Sequence, residues 1–204
     1  MKRYLARARD WVYLLVTAKP ADARHYWTMR LDREQGARQL PVPVSTAREL
    51  TAMLGPQDRA VVFGSAGSVA ALVAAGCDVT HVESDPGRAY GAEYLLAPGM
   101  RARLTSLVID RGHVQGRQQY AHAFIDLAAG TRLVVVAGRS RSKVAECVAE
   151  HAHPGTRLVV VRGDRSKYRQ LRDGLASAGK KCRIDRGPAA DGSSVRTSAL
   201  VVQL

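Results

Sequence analysis

Two short segments determine how this chain is expected to fold: residues 61–68, VVFGSAGS, and residues 79–85, VTHVESD. The first predicts a buried strand that runs into a tight turn of glycine and serine, followed by a helix of small residues. The second predicts another buried strand, which ends in the acidic residue Glu83. Glycines let a backbone turn sharply and approach a ligand closely, and a carboxylate about 20 residues later is placed to accept hydrogen bonds from ribose hydroxyls. Together the segments are typical of a nucleotide-binding α/β unit.

Strand and helix patterns alternate along the chain from residue 45 onward. Apolar runs predict strands over residues 60–63, 79–82, 104–109, 132–136, 157–161, 182–185 and 196–202. Helices are predicted over residues 45–54, 68–75, 86–96, 118–129, 142–151 and 166–178. Such alternation indicates a parallel sheet with helices on both faces, and the turn at residues 187–194 favours an antiparallel hairpin at the end. We therefore expect an α/β fold with a Rossmann-like, seven-stranded, mostly parallel sheet and a C-terminal antiparallel hairpin.

The first 44 residues have a different pattern. Residues 1–18 predict a basic amphipathic helix that ends before Pro20, and residues 19–44 are expected to be irregular. The chain is thus divided into an extension, residues 1–44, and a domain, residues 45–204. The helix is suited either to docking on the domain, which we favour, or to peripheral contact with a membrane surface. A transmembrane segment is not expected, because no apolar run approaches the roughly 20 residues that a membrane span needs.

The net charge of +13 is unevenly distributed. Residues 1–59 carry 11 basic and 6 acidic side chains, residues 60–138 carry 6 of each, and residues 139–186 carry 13 basic and 5 acidic side chains. Such an excess favours an anionic partner, which includes an anionic small molecule, a polysaccharide, a nucleic acid or an anionic membrane surface. The alternative is a solvated surface that only reflects an arginine-rich composition.

The cysteines indicate a reducing compartment. Cys77, Cys147 and Cys182 are isolated, with neither the paired spacing of a metal site nor a disulfide framework. We expect buried or inert thiols, no bound metal and a cytoplasmic location.

The order of strands, the turn after the first strand and the terminal hairpin resemble the class I S-adenosylmethionine-dependent methyltransferases over roughly residues 45–204. The first turn of that family usually reads acidic-x-Gly-x-Gly-x-Gly or a variant that ends in Gly-Ser. Gly64, Gly67 and Ser68 match this pattern, whereas Val62 and Ala66 replace the acidic residue and the middle glycine.

A second match lies at residues 82–85, VESD, because family members often carry Val-Glu-x-Asp at this place. The resemblance implies S-adenosylmethionine as cofactor, with Glu83 accepting hydrogen bonds from the ribose hydroxyls and Asp110 contacting the adenine amine. The expected cofactor-binding residues are Gly64, Ser65, Gly67, Ser68, Glu83 and Asp110.

The end of the predicted fourth strand departs from the family. Small methyltransferases often read Val-Asp-Gly there, but this chain has Val136-Ala137-Gly138. Alanine neither takes a proton nor holds a hard cation, which argues against metal-assisted O-methylation. His113 is a weak candidate for a base and Tyr168 for a substrate-orienting group; the alternatives are a solvated loop histidine and a packed tyrosine.

Cations follow the predicted fourth and fifth strands: Arg139, Arg141, Lys143, Arg162, Arg165 and Lys167. Because parallel strands end at one edge of a sheet, both groups are expected to lie near the cofactor, where they favour an anionic acceptor. Arg139, Arg141 and Arg165 are the expected acceptor-binding residues. The alternative is a set of separate solvated arginines.

Three functions follow from these patterns. The first is an S-adenosylmethionine-dependent methyltransferase that acts on an anionic acceptor. The second is a degenerate member of that fold that binds a polyanion or a protein partner without catalysis, which the replacements at Val62, Ala66 and Ala137 suggest. The third is a nicotinamide-dependent reductase, because the spacing of Gly64, Gly67 and Ala70 also fits a relaxed dinucleotide turn.

Overall fold

The computed structural model describes residue 16 and residues 18–204. Its strands are β1 (Arg59–Phe63), β2 (Asp78–Glu83), β3 (Leu104–Val108), β4 (Thr131–Val136), β5 (Arg157–Val161), β6 (Lys181–Gly187) and β7 (Thr197–Gln203). Its α-helices are α1 (Pro20–Leu31), α2 (Arg33–Gly36), α3 (Val44–Met53), α4 (Ala66–Ala74), α5 (Pro86–Tyr94), α6 (Val114–His122), α7 (Arg141–His151) and α8 (Arg169–Ser177). Short 3₁₀ helices cover Pro98–Arg103, Ile125–Leu127 and Ser166–Tyr168.

The strands form one seven-stranded sheet in the order β3-β2-β1-β4-β5-β7-β6. Strands β1 to β5 are parallel, and β7 runs antiparallel between β5 and β6. The predicted fold class is confirmed, including the terminal hairpin.

The central strands are buried on both faces, as their continuous apolar runs predict. Val62 and Val135 pack on the face that α3, α4 and α5 cover. Phe63 and Val134 pack on the opposite face, beneath α6, α7 and α8. Burying a side chain of this size contributes roughly 1.5–3 kcal/mol, so this two-sided core holds β1 and β4 firmly at the centre of the sheet.

The strand order reverses between β1 and β4. The chain steps outward from β1 to β3, then returns through α6 to β4 on the other side of β1. Loops leaving β1 and β4 therefore diverge to opposite faces, and ligands of open α/β sheets bind in the crevice at such a point.

The expectation of irregular structure over residues 19–44 is wrong. Pro20 begins helix α1, because the fixed φ of proline suits the first helical position, where its missing N–H would be unpaired in any case. Leu40 and Val42 are buried in the core beside α4. The division at residue 45 stays a prediction, and the predicted helix over residues 1–18 lies outside the described residues except for Val16 and Ala18.

Helix α3 begins at Val44, although Ser45 and Thr46 have the side chains of good N-caps. Both hydroxyls instead donate to Asp185 Oδ2, each at 2.6 Å, and thereby tie α3 to β6. None of the described helices has the length and apolar character that crossing a bilayer requires.

Candidate functional site

The turn between β1 and α4 needs glycine at its first position. Gly64 has a φ of +71°, and a Cβ there would lie 2.7 Å from the Gly138 Cα. Ser65 follows with a φ of +69°, in the left-handed region that few non-glycine residues adopt. The turn is therefore both sharp and strained, which is common where a backbone is shaped for a ligand.

The loop after β4 lies directly against this turn. The N–H groups of Ala137 and Gly138 donate to the Phe63 carbonyl at 3.0 and 2.7 Å. A Cβ at residue 138 would lie 2.9 Å from the Tyr120 hydroxyl, so this second glycine is also required by close packing. These contacts fix the two loops of the switch point to each other.

Glu83 ends β2 beside the same turn, with 4% of its surface exposed. Its Oε1 accepts hydrogen bonds from the Ser84 N–H at 2.6 Å, the Ser84 hydroxyl at 3.2 Å and the Asp85 N–H at 3.3 Å. Its Oε2 lies 3.6 Å from the place of a Cβ on Gly64, and no described residue donates to it. The carboxylate is thus fixed through one oxygen, and the other oxygen faces the turn.

Gly67 and Ser68 support the turn by packing. A Cβ on Gly67 would lie 2.8 Å from the Ala37 carbonyl oxygen and 3.0 Å from that of Gln39, so this glycine admits the backbone that leads into α3. Ser68 is fully buried and its hydroxyl lies 2.9 Å from that of Ser65. The contacts of these two predicted cofactor ligands are with the protein itself.

Asp110 lies at the same edge of the sheet, two residues after β3. The preceding residue, Ile109, donates its N–H to the Glu83 carbonyl at 2.8 Å, which keeps the β3 loop beside β2. The Asp110 side chain is exposed, and its Oδ1 accepts from the Gly112 N–H at 2.8 Å. The structure thus brings Gly64, Glu83 and Asp110 to one edge.

Arg141 connects two loops at the carboxyl edge of the sheet. Its guanidinium donates to the carbonyls of Ala137 at 2.6 Å, Gly138 at 2.9 Å and Val161 at 2.6 Å, and so joins the loops after β4 and β5. Burial lowers the pKa of Arg141, and the neighbouring cations Arg162 and Arg165 lower it further, against a raising effect of Tyr168. Arg139 and Arg165, the other predicted acceptor ligands, are exposed.

The two catalytic candidates are not brought together. His113 caps α6, where its Nδ1 accepts from the Gly116 N–H at 2.9 Å. This cap starts α6 at Val114, four residues before the predicted start. Tyr168 is buried beyond β5, with the Lys167 ammonium 4.9 Å from its ring centroid. The loops that carry them leave β3 and β5, whose ends are four strand spacings of about 4.8 Å apart in the sheet.

Tyr120 was not expected at the site. Its buried hydroxyl donates to the Val82 carbonyl at 3.5 Å, and its ring packs edge-on against Phe63, with centroids 5.5 Å apart. The Arg111 guanidinium lies 4.9 Å from the ring centroid and donates to the Ser140 hydroxyl at 2.6 Å. A lone tyrosine in a helical pattern has no sequence signal that separates it from an ordinary core residue.

The carboxylate of Glu83 also affects the protonation of Tyr120. Burial raises the pKa of Tyr120, and the nearby carboxylate of Glu83 raises it further, so the phenol stays protonated. Within residue 16 and residues 18–204, no group of three His, Cys, Asp or Glu side chains is placed to hold a metal ion. At this edge, Glu83 and Asp110 form an acidic half after β2 and β3, and Arg139 and Arg165 form a cationic half after β4 and β5. Arg111, which also follows β3, donates across to the Ser140 hydroxyl in the loop after β4.

Comparison with known proteins gives likeness in structure alone. No protein-family model and no curated protein match the sequence. The C-terminal domain of precorrin-6Y C5,15-methyltransferase from Rhodobacter capsulatus is 16% identical, with 81% of this chain and 90% of that chain covered and a TM-score of 0.54. The glycopeptide N-methyltransferase MtfA, in complex with S-adenosyl-L-methionine, is 13% identical, with 78% and 93% covered and a TM-score of 0.51.

The chain has the class I methyltransferase fold. The fold that the sequence resemblance implied is thereby confirmed. Another structure of similar shape, the precorrin 8w decarboxylase from Methanobacterium thermoautotrophicum, is 18% identical, with 81% and 95% covered and a TM-score of 0.52. A protein named for a different reaction thus has a similar fold, so the fold alone does not determine the reaction.

Two of the three replacements in the family's sequence pattern, Val62 and Ala137, leave these two positions of the edge without an acidic side chain. Val62 is fully buried in the core, so it offers no polar group to the turn. Ala137 follows β4 and donates its N–H to the Phe63 carbonyl. The site therefore depends on Glu83, the Gly64 turn and the cations of the opposite half.

Proposed function

We propose that this protein is an S-adenosylmethionine-dependent methyltransferase that acts on an anionic acceptor. The observation that carries the proposal is the Glu83 carboxylate, held by backbone donors at the end of β2 with its second oxygen toward the Gly64 turn. A carboxylate oxygen with free acceptor capacity suits a pair of ribose hydroxyls, because charged hydrogen bonds are stronger than neutral ones. The rigid turn adds backbone that a nucleoside can approach closely.

The residues present fit a bound nucleoside cofactor. Glu83 would hold the ribose of the cofactor, and Asp110 would contact its base. The backbone of Gly64 and Ser65 would lie against the nucleoside. When bound, the cofactor supplies a methyl group that its sulfonium already activates. The protein's own task is then to orient an acceptor lone pair, and correct orientation supplies a large part of the rate enhancement.

The absence of an acidic side chain at Ala137 limits the kind of acceptor. A general base is needed where the acceptor has to lose a proton early, and Ala137 provides none. Acceptors whose lone pair is free at neutral pH are therefore favoured. The exposed guanidinium groups of Arg139 and Arg165 would hold the acceptor's negative charge, while Arg141 positions the loops that carry them.

The cofactor part is tested by isothermal titration calorimetry with S-adenosylhomocysteine. We expect the wild type to bind and Glu83→Gln to bind about 10- to 100-fold more weakly, because a hydrogen bond to a charged group contributes about 1.5–3 kcal/mol. Glu93→Gln, a change of the same chemistry on α5, is the matched control and should bind like the wild type. No heat from the wild type at millimolar ligand, or equal affinity of Glu83→Gln, would contradict the proposal.

A second function, a methyltransferase fold that binds a polyanion or protein partner without catalysis, is favoured by the apolar residues Val62 and Ala137. It differs from the first proposal in one result. A chain of this second kind would give no heat with S-adenosylhomocysteine while keeping its affinity for the anionic partner.

A further inference from the structure

Exposed cations continue past the cationic half at β4 and β5 to the two neighbouring strands, β7 and β6. We define the basic edge as Arg139 after β4 together with Arg162, Arg165 and Lys167 after β5, all of which are exposed. Because β6 runs in the same direction as β5, Arg186 near its carboxyl end and Arg196 just before β7 lie at this edge too. Four strands at about 4.8 Å spacing cover about 14 Å.

The basic edge is poorly neutralised by acidic side chains. No described carboxylate forms an ion pair with Arg139, Arg162, Arg165 or Lys167. The acidic residue within it, Asp164, accepts hydrogen bonds from the Ser198 hydroxyl and from Arg186 Nε at 3.2 Å. Burial alone would raise the pKa of Asp164, but those two donors lower it overall. The carboxylate of Asp164 is thus already hydrogen-bonded to Ser198 and Arg186.

Two cations of the basic edge lie near a further one, Arg141. Burial lowers the pKa of Arg141, Tyr168 raises it, and the nearby cations Arg162 and Arg165 lower it by a smaller amount. Like charges held together without a counter-charge favour a bound anion, which relieves the repulsion.

The loop that presents these side chains is fixed before any ligand arrives. Arg162 has a φ of +58°, a conformation that glycine adopts far more easily, and its N–H donates to the Ser198 carbonyl at 2.7 Å. Arg172 donates to the Gly163 carbonyl at 3.0 Å and the Arg165 carbonyl at 3.4 Å. Because these hydrogen bonds already fix the loop, it loses little entropy on binding.

We infer that the basic edge binds the phosphate backbone of a double-helical or folded nucleic acid, which would be the anionic acceptor of the proposed function. A duplex carries a phosphate about every 3.4 Å along each strand, so about 14 Å of one strand presents about four phosphates, whereas a small anion needs two or three donors. Arginine, which predominates here, pairs with phosphate through two parallel N–H bonds. Among the residues that the structure describes, the exposed tyrosines are Tyr90 and Tyr94, which lie on α5 on the other side of the sheet's centre from the basic edge, so these two do not offer it a stacking surface for unpaired bases.

The test is fluorescence anisotropy of a labelled RNA duplex of about 20 base pairs with the full chain, between 50 and 200 mM NaCl. The triple variant Arg139→Gln, Arg165→Gln and Lys167→Gln removes three cations of the basic edge. At 150 mM salt we expect an affinity loss of about 100-fold and a salt slope that is shallower by about 2 to 3. The matched control removes three exposed cations elsewhere, Arg101→Gln, Arg132→Gln and Lys181→Gln, and should change affinity by less than about threefold.

A single variant keeps the inference testable if the triple variant folds poorly. The Arg162→Gly protein should bind the duplex more weakly. Its own melting temperature should be equal to or above that of the wild-type protein, because glycine adopts the left-handed φ of this position without strain. A salt slope near zero, equal losses in both triple variants, or binding to phosphatidylserine vesicles without binding to the duplex would overturn the inference.

Calorimetry with S-adenosylhomocysteine on the same triple variant separates the two proposals. The triple variant should still bind the cofactor. Cofactor binding by a wild type that does not bind the duplex would instead remove the nucleic-acid acceptor and leave the methyltransferase proposal intact. Duplex binding by a wild type that does not bind the cofactor would do the reverse.

Discussion

His81 is fully buried on β2, and neither ring nitrogen has a hydrogen-bond partner among the described residues. Its register partner on β3 is Ser106, whose hydroxyl is unpaired as well. Burial lowers the pKa of His81, against the raising effects of Glu83 and Glu93, the acidic groups that face it. The imidazole is therefore neutral in the folded protein and regains its ordinary pKa on unfolding.

This shift predicts how stability depends on pH. The folded state resists protonation that the unfolded state accepts, so stability is lost as pH falls below about 6.5, by at most about 1.4 kcal/mol per pH unit. His81→Leu should raise the free energy of unfolding at pH 7 by about 1–3 kcal/mol, because it removes an unpaired buried polar group. The substitution should also reduce the loss in the free energy of unfolding between pH 7.0 and pH 5.5, measured by urea unfolding at both values. Parallel pH profiles for the two proteins would show that His81 does not titrate with unfolding.

Glycine has different roles in two elements, the turn from β1 into α4 and the middle of α5. At Gly64 an added methyl group would adopt a φ of +71° and meet the Gly138 backbone. At Gly91, within α5, nothing lies within 4 Å of the added Cβ. One glycine is required by geometry, and the other only weakens its helix.

We therefore expect opposite effects from the same substitution. Gly64→Ala should lower the free energy of unfolding by about 2–4 kcal/mol through left-handed strain and overpacking. Gly91→Ala should raise it by about 0.5–1 kcal/mol, since alanine is the better helix former. Chemical denaturation of both variants measures the difference, and equal effects would contradict the close approach of the two loops.

Element boundaries show where sequence patterns suffice. Strand β5 was predicted over the same residues, 157–161, that the structure assigns to it, because a continuous apolar run between turns has few alternatives. Helix α6 was predicted to start late because its cap is a histidine, an unusual capping residue. Helix α1 was missed because its residues show little helical periodicity.

At the scale of the whole molecule, the topology could be derived from alternation, and Glu83 from its spacing after the glycine turn. The roles of Tyr120 and Arg141 could not be derived from the sequence, because both depend on which loops the strand order brings together. Arg141 was expected to bind an acceptor, yet its donors reach Ala137, Gly138 and Val161 across two loops. Charge along the sequence does not tell whether a guanidinium faces a ligand or its own backbone.

The strand reversal between β1 and β4 places an acidic half and a cationic half at one edge of the sheet. This division suits the proposed function, because a carboxylate accepts hydrogen bonds from ribose hydroxyls and guanidinium groups bind an anionic acceptor. Both halves border the Gly64 and Gly138 contact.

A crystal structure of the protein soaked with S-adenosylhomocysteine tests the central claim most directly. We expect the ribose hydroxyls within hydrogen-bond distance of the Glu83 carboxylate and the nucleoside against the turn at Gly64. A ligand bound elsewhere, or a soaked crystal with no ligand at Glu83, would contradict the assignment of this edge as a cofactor site.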